Sequence, residues 1–263
     1  MLFLGLAMVV TAIAQEPRIA VRISGRFDLF TTDELGNIYA LHDDEVELYN
    51  ARGELGIRNS TKTFGRIVSV DAFYSLKPLL FSRDQGQIAM LDNTLSLQGS
   101  VINLPRRGFP QVVLVSASVQ NAFWLYDERE LQLIRVDALL REIAATGRID
   151  QLLGITPQPL QMHELDNWLY VNSPEHGILV FDLFGTYYKT LPVLGADRFH
   201  VRGNGVYFVK DGSFFRYDLR DLIIESMPLP REIAERKLRD AHMEQGHLYL
   251  LYDDEIVIVT PSK

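Results

Sequence analysis

Short apolar runs separated by polar turns recur along this chain at a nearly constant spacing. Six strand cores stand out, at 36–41, 77–82, 121–126, 167–172, 204–209 and 246–251. Tyr39, Leu80, Trp124, Tyr170, Tyr207 and Tyr249 hold equivalent places in them, at steps of 41, 44, 46, 37 and 42 residues. After a polar turn each core is followed by a second apolar strand. These second strands end at Asn50, Asp92, Asp137, Asp182, Asp218 and Thr260, at steps of 42, 45, 45, 36 and 42. Two independent landmarks thus keep one beat. A repeat of roughly 40 residues built from strands alone predicts an all-β chain of six small antiparallel sheets stacked around an axis, a six-bladed β-propeller.

The turns between paired strands carry the residues that such turns require. Asp43-Asp44, Asp253-Asp254 and Asp211-Gly212 mark hairpin tips, because Asp and Gly tolerate the dihedrals that reverse the chain. Inner strands are expected ahead of each pair, at 26–30, 66–72, 111–116, 160–165, 199–202 and 238–243. Outer strands are less regular, with 96–104, 187–192 and 223–228 the best candidates. After Val259 little chain remains for an outer strand in the last blade. The apolar segment 19–23 can supply it and close the ring, hiding edges that would otherwise stay unpaired.

Two segments break the rhythm. Asp137 is placed to cap a short helix over 138–145 that Gly147 ends, with 149–154 adding a turn, and 230–237 is charged and helix-prone. Leu139, Leu140 and Ile143 would share one face of the first helix, which makes them candidates for docking a partner.

Composition narrows the function classes. With 26 basic against 34 acidic residues the chain carries a formal charge of −8 and no basic run, which disfavours nucleic acid and anionic lipid as partners. The first 14 residues are apolar and end in Ala12-Ile13-Ala14 before a polar Gln15-Glu16-Pro17-Arg18. That pattern is expected of a cleaved export signal, and it is too short to span a bilayer. Residues 15–263 would then form one propeller domain. Cysteine is absent, so an exported chain would lack disulfides, which suits a periplasmic or outer-membrane-associated setting in bacteria.

Candidate chemistry is sparse. The six histidines, His42, His163, His176, His200, His242 and His247, have no metal-ligand spacing of the HExxH kind, and no nucleophile elbow or phosphate loop occurs. Asp71, Glu164 and Asp240 all fall on inner strands, and three carboxylates at one channel mouth would suit calcium, which takes several oxygen ligands together. The plainer expectation is a solvated polar channel with no metal, no cofactor and no catalytic set.

The repeats resemble six-bladed propellers of the NHL and YVTN type. The match rests on 33–39, Asp-Glu-Leu-Gly-Asn-Ile-Tyr, and on 178–185, Ile-Leu-Val-Phe-Asp-Leu-Phe-Gly. Blades two and three lack the Gly-Asn-h-Tyr strand. The stretch 177–187 is also similar to exported propellers of Bacteroidetes-type bacteria. The resemblance implies a fold and no activity. It favours a non-catalytic exported scaffold with a protein partner in a cell-envelope or secretion-associated complex. A calcium-dependent hydrolase or lactonase, or a glycan or peptide binder, are the alternatives.

Overall fold

A computed structural model describes residues 16–261, apart from 44, 61–63 and 73–76. The expected leader 1–14 and the cut before Gln15 lie outside the described residues. The chain opens with β1 (Arg18–Ser24). Blade 1 is β2 (Leu29–Thr32), β3 (Ile38–His42), β4 (Glu45–Tyr49) and β5 (Leu55–Ser60). Blade 2 is β6 (Ser69–Asp71), β7 (Leu79–Ser82), β8 (Gln87–Met90) and β9 (Ile102–Asn103), and blade 3 is β10 (Val112–Ser118), β11 (Ala122–Asp127), β12 (Gln132–Val136) and β13 (Glu142–Ala145). The helix α1 (Ile149–Leu153) leads to blade 4, with β14 (Gln161–Leu165), β15 (Trp168–Ser173), β16 (Gly177–Asp182) and β17 (Tyr187–Leu191). Blade 5 is β18 (Arg198–Arg202), β19 (Gly205–Lys210), β20 (Ser213–Asp218) and β21 (Ile224–Ser226). Blade 6 is β22 (Asp240–Glu244), β23 (His247–Leu251) and β24 (Glu255–Thr260).

All six sheets are four-stranded and antiparallel, and the fourth strand of blade 6 is β1. Its register runs from Arg18 opposite Thr260 to Ser24 opposite Glu255, so the first and last described strands lock the ring as the 19–23 pattern predicts. Middle strands are buried on both faces, β7, β11 and β24 almost throughout, because each blade is covered by a neighbour on either side. Apolar clusters fill the joins, and Trp124, Tyr39, Tyr126 and Tyr249 are among the largest fully buried side chains. Fully burying such side chains contributes about 1.5–3 kcal/mol each.

The polar residue that ends each third strand explains the next turn. The Asp92 carboxylate accepts the Thr94 and Ser96 N–H groups, at 2.8 and 2.9 Å. Asn50 accepts from Arg52 and Glu54, Asp137 from Leu139 and Arg141, and Asp182 from Phe184 and Thr186. One side-chain oxygen thus holds two backbone donors and sends the chain into the outer strand.

This turn overturns the helix expected over 138–145. Asp137 caps a turn of the same kind as in other blades, Leu140 takes a left-handed backbone with φ 62°, and 142–145 is the outer strand of blade 3. Among the described residues the one α-helix is Ile149–Leu153, and 230–237 winds through turns without one. Leu139 stays 70% exposed and Ile143 48% exposed, whereas Leu140 packs against the core between blades 2 and 3. The three residues therefore share no helical face. Gly36 is the clearest required glycine: at φ 80° its missing Cβ would sit 2.6 Å from the Tyr249 hydroxyl, where blade 6 closes on blade 1.

Candidate functional site

Inner strands line the channel, and their cross-strand registers place six residues in one layer. Thr31 faces Tyr39, Val70 faces Leu80, Ser116 faces Trp124, His163 faces Tyr170, His200 faces Tyr207 and His242 faces Tyr249. Half of the layer is therefore histidine, on three successive blades. The His200 and His242 rings stack at 4.3 Å with 14° between planes, and His163 lies 6.0 Å from His200. Phe30 of blade 1 continues the series at 4.5 Å from His242, and the Thr32 hydroxyl lies 3.0 Å from His242 Nδ1.

Burial sets the charge of this stack. Desolvation lowers the pKa of all three imidazoles, and that of His242 falls to about 3, with the His163 and Arg198 charges adding to the effect. The rings are neutral at physiological pH. Among the described residues His200 Nε2 has no hydrogen-bond partner. Asp240 faces the same small cavity, of about 70 Å³, and desolvation raises its pKa to about 6 against the pull of Arg198. A space of this size admits a few waters and excludes an organic substrate. The layer keeps its imidazoles neutral and offers no room for a bound molecule.

Asp71, Glu164 and Asp240 do not act together. Asp71 Oδ2 accepts the Ser116 hydroxyl at 3.0 Å and the Ala117 N–H at 2.9 Å, tying blade 2 to blade 3. Glu164 accepts the Ser118 hydroxyl (2.6 Å), the Val119 N–H (2.9 Å) and the Trp124 indole N–H (2.7 Å), tying blade 4 to blade 3. The buried Arg135 completes that network by donating to the Ser118 hydroxyl at 2.8 Å and to the Val119 carbonyl at 3.1 Å. Elsewhere Gln161 exchanges two hydrogen bonds with the Phe199 backbone, and Arg202 pairs with Glu244 at 2.7 Å. Among the described residues no group of three His, Asp or Glu side chains is arranged to hold a metal ion.

The histidine layer is absent from a reading based on local motifs, because its members lie 37 and 42 residues apart. The signal was present in the repeat: each of the three histidines stands seven residues before the aromatic landmark of its own blade.

No family model matches this sequence, and no curated protein gives a significant match. Solved structures do match by shape. Virginiamycin B lyase from Staphylococcus aureus superposes with a TM-score of 0.59 at 13% identity, over 88% of this chain and 79% of that one. A streptogramin B lyase gives 0.61 at 12% identity, over 94% and 98%. The WD40 domain of Neurospora crassa Pan2 gives 0.64 at 8% identity, over 95% and 97%. The class is thereby defined: the chain is a six-bladed β-propeller. At these identities the likeness concerns the fold alone.

Proposed function

We propose that the protein is a non-catalytic propeller scaffold, exported and engaged with a protein partner in the bacterial envelope or a secretion-associated complex. The observation that carries this reading is the use made of the channel carboxylates. Two of the three that a calcium-dependent hydrolase would need are spent on hydrogen bonds between blades. Binding is then left to the exposed faces and the perimeter. Export rests on the apolar leader closed by Ala12-Ile13-Ala14. On the perimeter, Leu139 and Ile143 offer exposed apolar contacts beside the Asp137 turn.

The test is cross-linking in the native host, with fractionation, using the wild-type chain and a Leu139→Asp/Ile143→Asp variant. The expected result is an envelope-fraction protein recovered in stoichiometric amount with the wild type and lost with the variant, whose melting temperature is unchanged. A cytoplasmic chain with Met1 retained would remove the export component. Turnover of lactones or esters dependent on added calcium would replace the scaffold reading with the hydrolase one.

A further inference from the structure

A concavity of about 620 Å³ lies over the join of blades 2 and 3 and reaches the end of inner strand β10 at Ala117 and Ser118. Small-molecule sites typically occupy roughly 300–1,000 Å³. Its floor is apolar, formed by half-buried Met90 and Ile102 from blade 2 and buried Ala117, Ala122 and Phe123 from blade 3. The exposed side chains of Lys77, Gln98, Gln120 and Asn121 line it as well, with Glu34 contributed by blade 1.

Two features of this rim point to an anionic group. Lys77 Nζ donates to Asn121 Oδ1 at 2.6 Å and forms no ion pair among the described residues, so its charge is uncompensated beside an apolar floor. With Oδ1 engaged by Lys77, the Asn121 amide keeps its N–H donors for another acceptor. Gln120 and Asn121 form the tight turn between β10 and β11, both with left-handed φ (63° and 56°) as Asp166 and Asn167 have in blade 4, and that turn presents their side chains at the rim.

We propose that this concavity binds an aliphatic monocarboxylate, with its chain on Met90, Ile102 and Phe123 and its carboxylate between the Lys77 ammonium and the amides of Asn121 and Gln98. The apolar floor supplies affinity without direction, and the single cation fixes which end of the ligand lies at the rim. This site stands independently of the scaffold reading, since it uses neither the histidine layer nor the perimeter residues 139 and 143.

Isothermal titration of the full chain with hexanoate, octanoate and decanoate tests it. One-to-one binding is expected, tightening about fourfold per added methylene, which is the effect of burying one CH₂. Octanol and octylammonium should bind at least tenfold more weakly than octanoate. Lys77→Met, at an exposed position, should weaken octanoate about tenfold and leave octanol unchanged. Ile102→Trp should fill the floor and abolish binding of all three acids while the melting temperature holds. No octanoate binding to the wild type overturns the proposal. So does octylammonium binding as tightly as octanoate, which would assign the charge recognition to Glu34. If Ile102→Trp fails to fold, Lys77→Met decides alone: unchanged octanoate affinity in that variant refutes the site.

Discussion

The two halves of the channel are held in opposite ways. Around blades 2, 3 and 4 the contacts are directional and charged: Asp71 and Glu164 each collect donors from blade 3. Around blades 4, 5 and 6 a layer of stacked neutral rings, with His200 Nε2 left without a hydrogen bond among the described residues, is added to the Gln161–Phe199 and Arg202–Glu244 contacts. A buried hydrogen-bonded carboxylate is intolerant of losing its partners, because each abandoned donor retains its desolvation cost. Stacked imidazoles contribute mainly packing, and their weak point is the proton. The ring therefore has one side sensitive to mutation and another sensitive to acid.

Opening the ring should erase both sides together. Deleting residues 18–24 strips β24 of its partner, and the expected outcome is loss of the cooperative thermal transition measured by circular dichroism. Glu164→Ala should be the most damaging single change on the carboxylate side. It orphans the Trp124 indole, the Ser118 hydroxyl and the Val119 N–H beside buried Arg135, at about 3–5 kcal/mol by denaturant unfolding. A loss below 1 kcal/mol would show that the network is not what joins blades 3 and 4.

Acid should act on the opposite side. The three imidazoles have folded pKa values below the unfolded value of about 6.5, so their stabilising neutrality is complete above that pH. As pH falls below it, the unfolded chain binds protons first and stability declines toward pH 3. Asp240 and Glu244, with raised values, work the other way, since the folded state holds their protons more tightly. Glu54, Asp92, Asp137, Asp150 and Asp218, carboxylates with lowered values, add to the decline at the acid end. The net loss should be about 1.4 kcal/mol per pH unit for each extra proton the unfolded chain binds. Urea midpoints between pH 7 and 4 that do not fall would contradict this account.

His200→Phe keeps a ring in the stack but removes both the orphaned Nε2 and the hydrogen bond to the Met243 backbone. It should cost about 1–3 kcal/mol at pH 7, the penalty of a buried backbone group left without its partner. It should also flatten the acid decline by one proton's worth, measured by the same urea series. Leu139→Asp, at a site 70% exposed, should move the midpoint least, by under about 0.5 kcal/mol.

Much of the architecture was legible because the repeat carries it twice, once in landmarks that are aromatic in five of six blades and again in an Asn or Asp at the end of five of the six third strands. Closure by residues 19–23 was legible too, since an apolar run stands just ahead of the first inner strand, and it pairs with β24. Outer strands were harder. Of the candidates, 187–192 matches β17 closely, but β9 and β21 span only two and three residues, and β5 is mostly exposed with little apolar alternation. The helix expected over 138–145 followed from apolar positions at helical spacing, which a strand edge can also present. What decided the matter was Asp137, whose carboxylate satisfies the Leu139 and Arg141 N–H groups and commits the chain to a turn. Asp71 and Glu164 were correctly placed on inner strands, but their partners lie 45 or 46 residues away, at Ser116, Ala117, Ser118 and Val119 in the neighbouring blade. Only the assembled ring shows that these oxygens are occupied.

The pairing of β1 with β24 also orders events in time. Arg18 and Thr260 are partners across nearly the whole chain, so the first strand made waits for the last one. At a synthesis rate of roughly 5–20 residues per second, that wait lasts on the order of tens of seconds. During it the ring stays open, and the edge of β1 that β24 will pair with is exposed to any other strand nearby. A chain that stops short of β24 cannot complete the last blade, so every such copy carries a free sheet edge, and dilution or a chaperone during that interval should govern the yield of folded rings.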